Sequence, residues 1–156
     1  MNRFKTRSLV FGPALAATTL FTLATPTSVP AQAGPLCQGQ VPNIIGAGFI
    51  AGGAGNDVIL GSPNPDVIHG GGGNDLICSL GGNDTVNGGS GNDRVLAGKG
   101  EDRVRGGDGD DALFGEDNDD NLQGEAGDDF LNGGTHNHGD VCNGGAGVDV
   151  LVACNP

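Results

Sequence analysis

Nine aspartates stand nine residues apart in this chain: Asp57, Asp66, Asp75, Asp84, Asp93, Asp102, Asp111, Asp120 and Asp129. Two more, Asp140 and Asp149, continue the series after a two-residue insertion. Each closes a glycine-rich segment such as Gly88-Gly89-Ser90-Gly91-Asn92-Asp93. A turn of that composition presents backbone carbonyls and ends in a carboxylate, so every ligand it offers is oxygen. Hard cations that accept six to eight oxygens suit such a site, and calcium leads among them.

The elements that must hold these turns are legible in the same period. From Gly52 to Asn132 one nine-residue unit is written nine times; position six is always Asp and position eight always Ile, Val or Leu. Glycine at positions one, two and four favours positive φ and offers nothing to pack, which predicts a turn over the first six residues. The last three, such as Val58-Ile59-Leu60, predict a very short strand with position eight inward. A fixed period of this kind marks a solenoid, whose units must stack to hide their apolar sides. With two units per coil, like turns recur every eighteen residues. One file then holds Asp57, Asp75, Asp93, Asp111 and Asp129, and the other Asp66, Asp84, Asp102 and Asp120. Position four is glycine throughout the first file, whereas the second has Asn64 and Asn118, residues that tolerate left-handed φ. Pro63, Pro65, Ser79, Leu80, Lys99, Glu101 and Glu116 also break the pattern in the second file, which is expected to bind more weakly. Carboxylates about 4.8 Å apart along a file repel by roughly 3 to 4 kcal/mol at an effective dielectric near 20. Such a stack needs divalent ions between its turns.

The GGxGxDxUx pattern closely resembles the hemolysin-type calcium-binding repeat, the RTX nonapeptide. The resemblance implies an all-β fold, a parallel β-roll (right-handed β-solenoid) of about eleven nonapeptide repeats with an N-terminal cap. It also implies that calcium sits between same-file turns, held by the position-six Asp of two turns and by glycine-segment carbonyls. Carried onto this chain, Asp57 pairs with Asp75, Asp75 with Asp93, Asp93 with Asp111 and Asp111 with Asp129. In the other file Asp66 pairs with Asp84, Asp84 with Asp102 and Asp102 with Asp120. Asp140 and Asp149 extend the files, so up to about nine Ca2+ ions are implied. Cys142 and Leu151 take the apolar place in the last two units.

Composition bounds the rest. The 156 residues include 32 Gly, no Trp or Tyr, and carry a net charge of −12, too little bulky apolar material for an ordinary core. Arg3, Lys5 and Arg7 precede the apolar run Leu9 to Leu23, and Ala31-Gln32-Ala33 offers a cleavage site, which reads as a secretory signal peptide over residues 1–33. The cap then covers 34–51, the roll 52–152 and a tail 153–156, with no transmembrane segment once the leader is removed. All 19 acidic residues but only Arg94, Lys99, Arg103 and Arg105 follow Ala33, a charge of −15 that makes nucleic acid a poor partner. Four cysteines in an exported chain allow three pairings, of which Cys37 with Cys78 and Cys142 with Cys154 is favoured. His136 and His138 form an HxH pair whose blander reading is a solvated turn, and Arg94, Arg103 and Arg105 read as one small basic cluster that relieves repulsion. The expected function is that of a secreted bacterial calcium-binding protein, exported by the general secretory route and folding on calcium. It is not expected to be an enzyme, because only Gly34 to Ala51 remains beside leader and repeats. The alternative is calcium-dependent adhesion to a cell surface or polysaccharide.

Overall fold

A computed structural model describes residues 36–136 and 138–155; the leader expected over 1–33 lies outside them. Among the described residues there is no helix. The odd-numbered strands, β1 (Ile44–Ile45), β3 (Val58–Leu60), β5 (Leu76–Cys78), β7 (Arg94–Lys99), β9 (Ala112–Asp117), β11 (Phe130–Thr135) and β13 (Val150–Val152), form one sheet in that order. The even-numbered strands form the other: β2 (Phe49–Ala51), β4 (Val67–Gly72), β6 (Thr85–Ser90), β8 (Arg103–Asp108), β10 (Asn121–Ala126) and β12 (Val141–Ala146). All strand pairings are parallel. Chain direction and strand alternation therefore describe a solenoid of about six coils, two repeat units to a coil. Like positions pair at the expected spacing, as in Leu76↔Arg94 and Arg94↔Ala112. The insertion near His136 widens the step, so Phe130 pairs with Val150.

Position eight of both sheets fills the interior. Ile59, Ile68, Ile77, Val86, Val95, Val104, Leu113, Leu122 and Leu131 are all at most 1% exposed and form one cluster with Ile50 and Ala97. Two expected members fall short. Cys142 is only half-buried against the cluster, and Leu151 is 48% exposed because β13 is the edge strand of its sheet among the described residues.

The strands are longer than the three residues expected. In the regular units they run for six, through positions one to three of the next unit, as Thr85–Ser90 does. The glycines stay in the ladder: Gly71 pairs with Gly89 and Gly89 with Gly107, all at φ between 113° and 121°. Positive φ breaks the pleat without ending the hydrogen bonding, so turn and strand overlap. Leu80, Glu116 and Asn118 adopt the same left-handed conformation at their irregular positions. Asn64 does not, contrary to expectation, because Pro65 behind it favours extended backbone.

Both favoured disulfides are formed, each with 5.7 Å between Cα atoms. Cys37 is carried onto the outer face of the odd sheet, where it is buried with Leu60, Leu76 and Cys78 in a second apolar cluster. The three arginines do not form one cluster. Arg94 lies on β7 of the odd sheet, donates to Gln38 Oε1 at 2.9 Å and stacks 4.6 Å over the Phe114 ring, whereas Arg103 and Arg105 lie on β8 of the even sheet.

Candidate metal centre

The turns line both edges of the roll, and one contact recurs along each. The Asp at position six accepts, through Oδ1, the backbone N–H of the Asp one coil earlier. Asp57 N–H donates to Asp75 at 2.9 Å, Asp75 to Asp93 at 2.8 Å, Asp93 to Asp111 at 2.7 Å and Asp111 to Asp129 at 2.8 Å. The second file repeats it from Asp66 through Asp84, Asp102 and Asp120 to Asp140, and Asp129 N–H donates to Asp149 at 3.1 Å. One oxygen of each carboxylate thus locks the coil spacing.

The other oxygen is different. Oδ2 of Asp75, Asp84, Asp93, Asp102, Asp111, Asp120 and Asp129 is buried without a hydrogen-bond partner. A buried carboxylate oxygen left unsatisfied costs free energy, and seven in register call for something that supplies positive charge. In five of the seven units a position-one glycine shows what surrounds this oxygen; the units of Asp84 and Asp102 have Ser79 and Ala97 there instead. A methyl added at Gly88 would meet Asp93 Oδ2 and, at 2.7 Å, the Gly106 carbonyl oxygen of the next coil. The same pair of oxygens faces Gly106 from Asp111 and Gly124, and Gly115 from Asp120 and Gly133. In these turns a carboxylate and a carbonyl oxygen therefore border one space, a ligand set that suits a hard cation; at Asp84 the Ser79 hydroxyl also reaches the carboxylate. Among the described residues no three His, Cys, Asp or Glu side chains gather to hold a metal, so a cation in these turns would draw most of its ligands from carbonyls.

Burial raises these carboxyls. Asp84, Asp93 and Asp102 are pushed up to about 6 and Asp111 and Asp120 to about 7, while Asp75 and Asp129 are also raised. Desolvation is the largest cause in every case, and the hydrogen bond from the preceding Asp N–H opposes it. Repulsion from neighbouring carboxylates, where it contributes, comes after both. The carboxylates are buried in the turn rather than lined up in water, so loss of hydration outweighs their mutual field.

The remaining four aspartates stand at the ends and lack the orphaned oxygen. Asp57 accepts from Asn43 Nδ2 and Gly53 N–H, and Asp66 from the N–H of Gly48 and Ser62. Asp140 Oδ2 lies 2.9 Å from His136 Nδ1, and Asp149 is half-buried in the last turn. The interior of the second file also keeps three orphaned oxygens, on Asp84, Asp102 and Asp120, although Ser79 and Ala97 stand where the first file has glycine. His138 Nδ1 contacts Asp119 at 2.8 Å, so the two imidazoles engage different carboxylates.

Sequence reasoning overlooked position five. Asn56 Oδ1 accepts from Asn74 N–H at 2.8 Å, Asn74 from Asn92 at 2.9 Å, Asn92 from Asp110 at 3.2 Å and Asp110 from Asp128 at 2.9 Å. This second ladder runs opposite in sense to the aspartate one. Its signal was the Asn or Asp at position five in seven of the nine units from Gly52 to Asn132.

Stacked parallel coils flanked by oxygen-lined turns define the β-roll class of repeat protein. The family model of the RTX calcium-binding nonapeptide repeat matches the chain in four copies, over residues 51–86, 79–113, 87–122 and 114–151. The chain belongs to that family, whose repeats bind calcium, and the solenoid fits a calcium-binding β-roll. No curated protein and no solved structure matches it.

Proposed function

We propose that this is a secreted protein whose roll folds on binding several calcium ions between its turns. The observation that carries the reading is the row of seven buried, unpartnered Asp oxygens, of which those of Asp75, Asp93, Asp111, Asp120 and Asp129 each lie beside a glycine carbonyl of the next coil. In the first file the ligands would come from Asp75, Asp93, Asp111 and Asp129, and in the second from Asp84, Asp102 and Asp120. Asp57, Asp66, Asp140 and Asp149 would complete end sites, for up to about nine ions. A bound dication would supply the positive charge that the paired oxygens require, and the chain would supply a coil spacing already set by the Oδ1 contacts.

Two disulfides and the leader expected from the sequence over residues 1–33 support export. Extracellular oxygen-ligand modules typically bind calcium near 10⁻⁴ to 10⁻³ M, which would keep the chain unfolded in the cell and folded outside it. The proposal includes no catalytic step. Circular dichroism during calcium titration, with magnesium as control, tests it: a coil spectrum persisting at about 10 mM calcium rejects the reading.

A further inference from the structure

The outward residues of the even sheet belong to no site described so far. On β8 Val104 turns inward and Arg103 and Arg105 turn out. Register places Thr85 and Asn121 on either side of Arg103, and Asn87 and Gln123 on either side of Arg105. The grid has neighbours about 4.8 Å apart across strands and about 6.6 Å apart along them. It borders an open groove of about 290 Å³.

We infer that this face binds an anionic saccharide, with the Arg103 and Arg105 guanidiniums taking its carboxylate or sulfate groups and the flanking amides its hydroxyls. The inference rests on the calcium-folded roll proposed above, because only the stacked coils assemble the grid.

Charge is the first argument. The chain has 19 acidic residues, yet none occupies an outward position seven or nine from β2 to β12. The cations are also unspent. Arg103 makes no ion pair among the described residues, and Arg105 reaches Glu125 only at 3.8 Å with both side chains about half exposed, a contact worth little. Arg94, by contrast, is held by Gln38 and Phe114. Planar guanidiniums left open recognise carboxylate and sulfate groups through paired hydrogen bonds.

Chemistry beside the arginines selects the rest of the ligand. Gln123 Nε2 donates to Asn121 Oδ1 at 3.2 Å, which orients the Asn121 amide and leaves its N–H groups for a ligand. Amides and the Thr85 hydroxyl both donate and accept, as hydroxyl-rich ligands require. The inward Val86 and Val104 beneath the groove are covered, and the groove is bordered by His69, against which the exposed Phe49 of β2 packs at 5.6 Å, while the half-buried pair Phe114 and Phe130 lies on the odd sheet. Nucleic acid, with a charge at every phosphate, must approach between two edges of carboxylate-rich turns, whereas a sparsely charged sugar chain meets less repulsion.

The test is calorimetry of the calcium-loaded protein with four probes: a uronate oligosaccharide too short to gel, a sulfated one, a neutral one and a single-stranded oligonucleotide. Circular dichroism in the same buffer reports folding separately. One or both acidic saccharides should bind, and which one does names the group. Arg103→Gln with Arg105→Gln should weaken that binding at least tenfold without moving the calcium midpoint, whereas Arg94→Gln should leave it unchanged. A folded protein that ignores both acidic saccharides overturns the inference. So does equal binding of the neutral sugar or the oligonucleotide, or a double variant that binds like the parent. A chain that stays coil in saturating calcium instead defeats the folding proposal, and this inference with it.

Discussion

Replacing Asp93 by Asn should have opposite effects on stability with and without calcium. Asp93 is 2% exposed, its Oδ1 accepts from Asp75 N–H at 2.8 Å and its Oδ2 has no partner. Its rise from 3.8 to about 6 is worth about 3 kcal/mol of strain against the charged form above pH 7. The amide keeps the Oδ1 contact and removes the charge, at a burial cost of roughly 1 kcal/mol. The metal-free roll should therefore gain about 2 kcal/mol. In calcium the substitution would strip a ligand from the proposed sites in the gaps toward Asp75 and Asp111. One ion at a hundred times its Kd stabilises by about 2.7 kcal/mol, so losing two leaves a net deficit of about 3 kcal/mol. The assay is a pair of midpoints: osmolyte-induced folding in chelator, and urea unfolding in saturating calcium, both by circular dichroism. Loss of stability in both media would refute the reasoning, because it would make Asp93 a hydrogen-bonding strut and not a cation ligand.

In chelator, lowering the pH should favour the roll. The folded values of about 6 for Asp84, Asp93 and Asp102 and about 7 for Asp111 and Asp120 lie above 3.8, so this contribution is complete below about 4 and is lost as pH rises through 6 to 7. Coil signal that does not diminish between pH 8 and pH 5 would contradict the burial argument. Asp93→Ala should raise the calcium midpoint for folding more than Asp66→Ala, since both Asp66 oxygens already accept backbone N–H groups; equal midpoints would reject that ranking. Gly88→Ala places a methyl against Asp93 Oδ2 and the Gly106 carbonyl and should cost about 2 to 3 kcal/mol in calcium, measured as the shift in urea midpoint. An unchanged midpoint would mean the space is not needed.

Much of the architecture is periodic, and periodic features are local enough to be read from one dimension. The nine-residue spacing of Asp57 to Asp129 and the apolar position eight lead directly to stacked coils, two files and a one-residue-wide core. The oxygen-rich ligand set follows from residue type alone. Other features depend on what a neighbour eighteen residues away, or no neighbour at all, does. Asp93 and Asp66 occupy the same place in their units, yet Asp93 keeps an orphaned oxygen under the coils that cover it, while Asp66 spends both of its oxygens on Gly48 and Ser62 at the roll's beginning. Arg94 and Arg103 are one unit apart, and one unit is half a coil, so the fold sends them to opposite sheets. Residue types and their period determined that this chain is a roll with acidic turns. Which carboxylates remain unsatisfied, and which cations face open water, was decided only by tertiary stacking, because desolvation and pairing are set by the coils above and below.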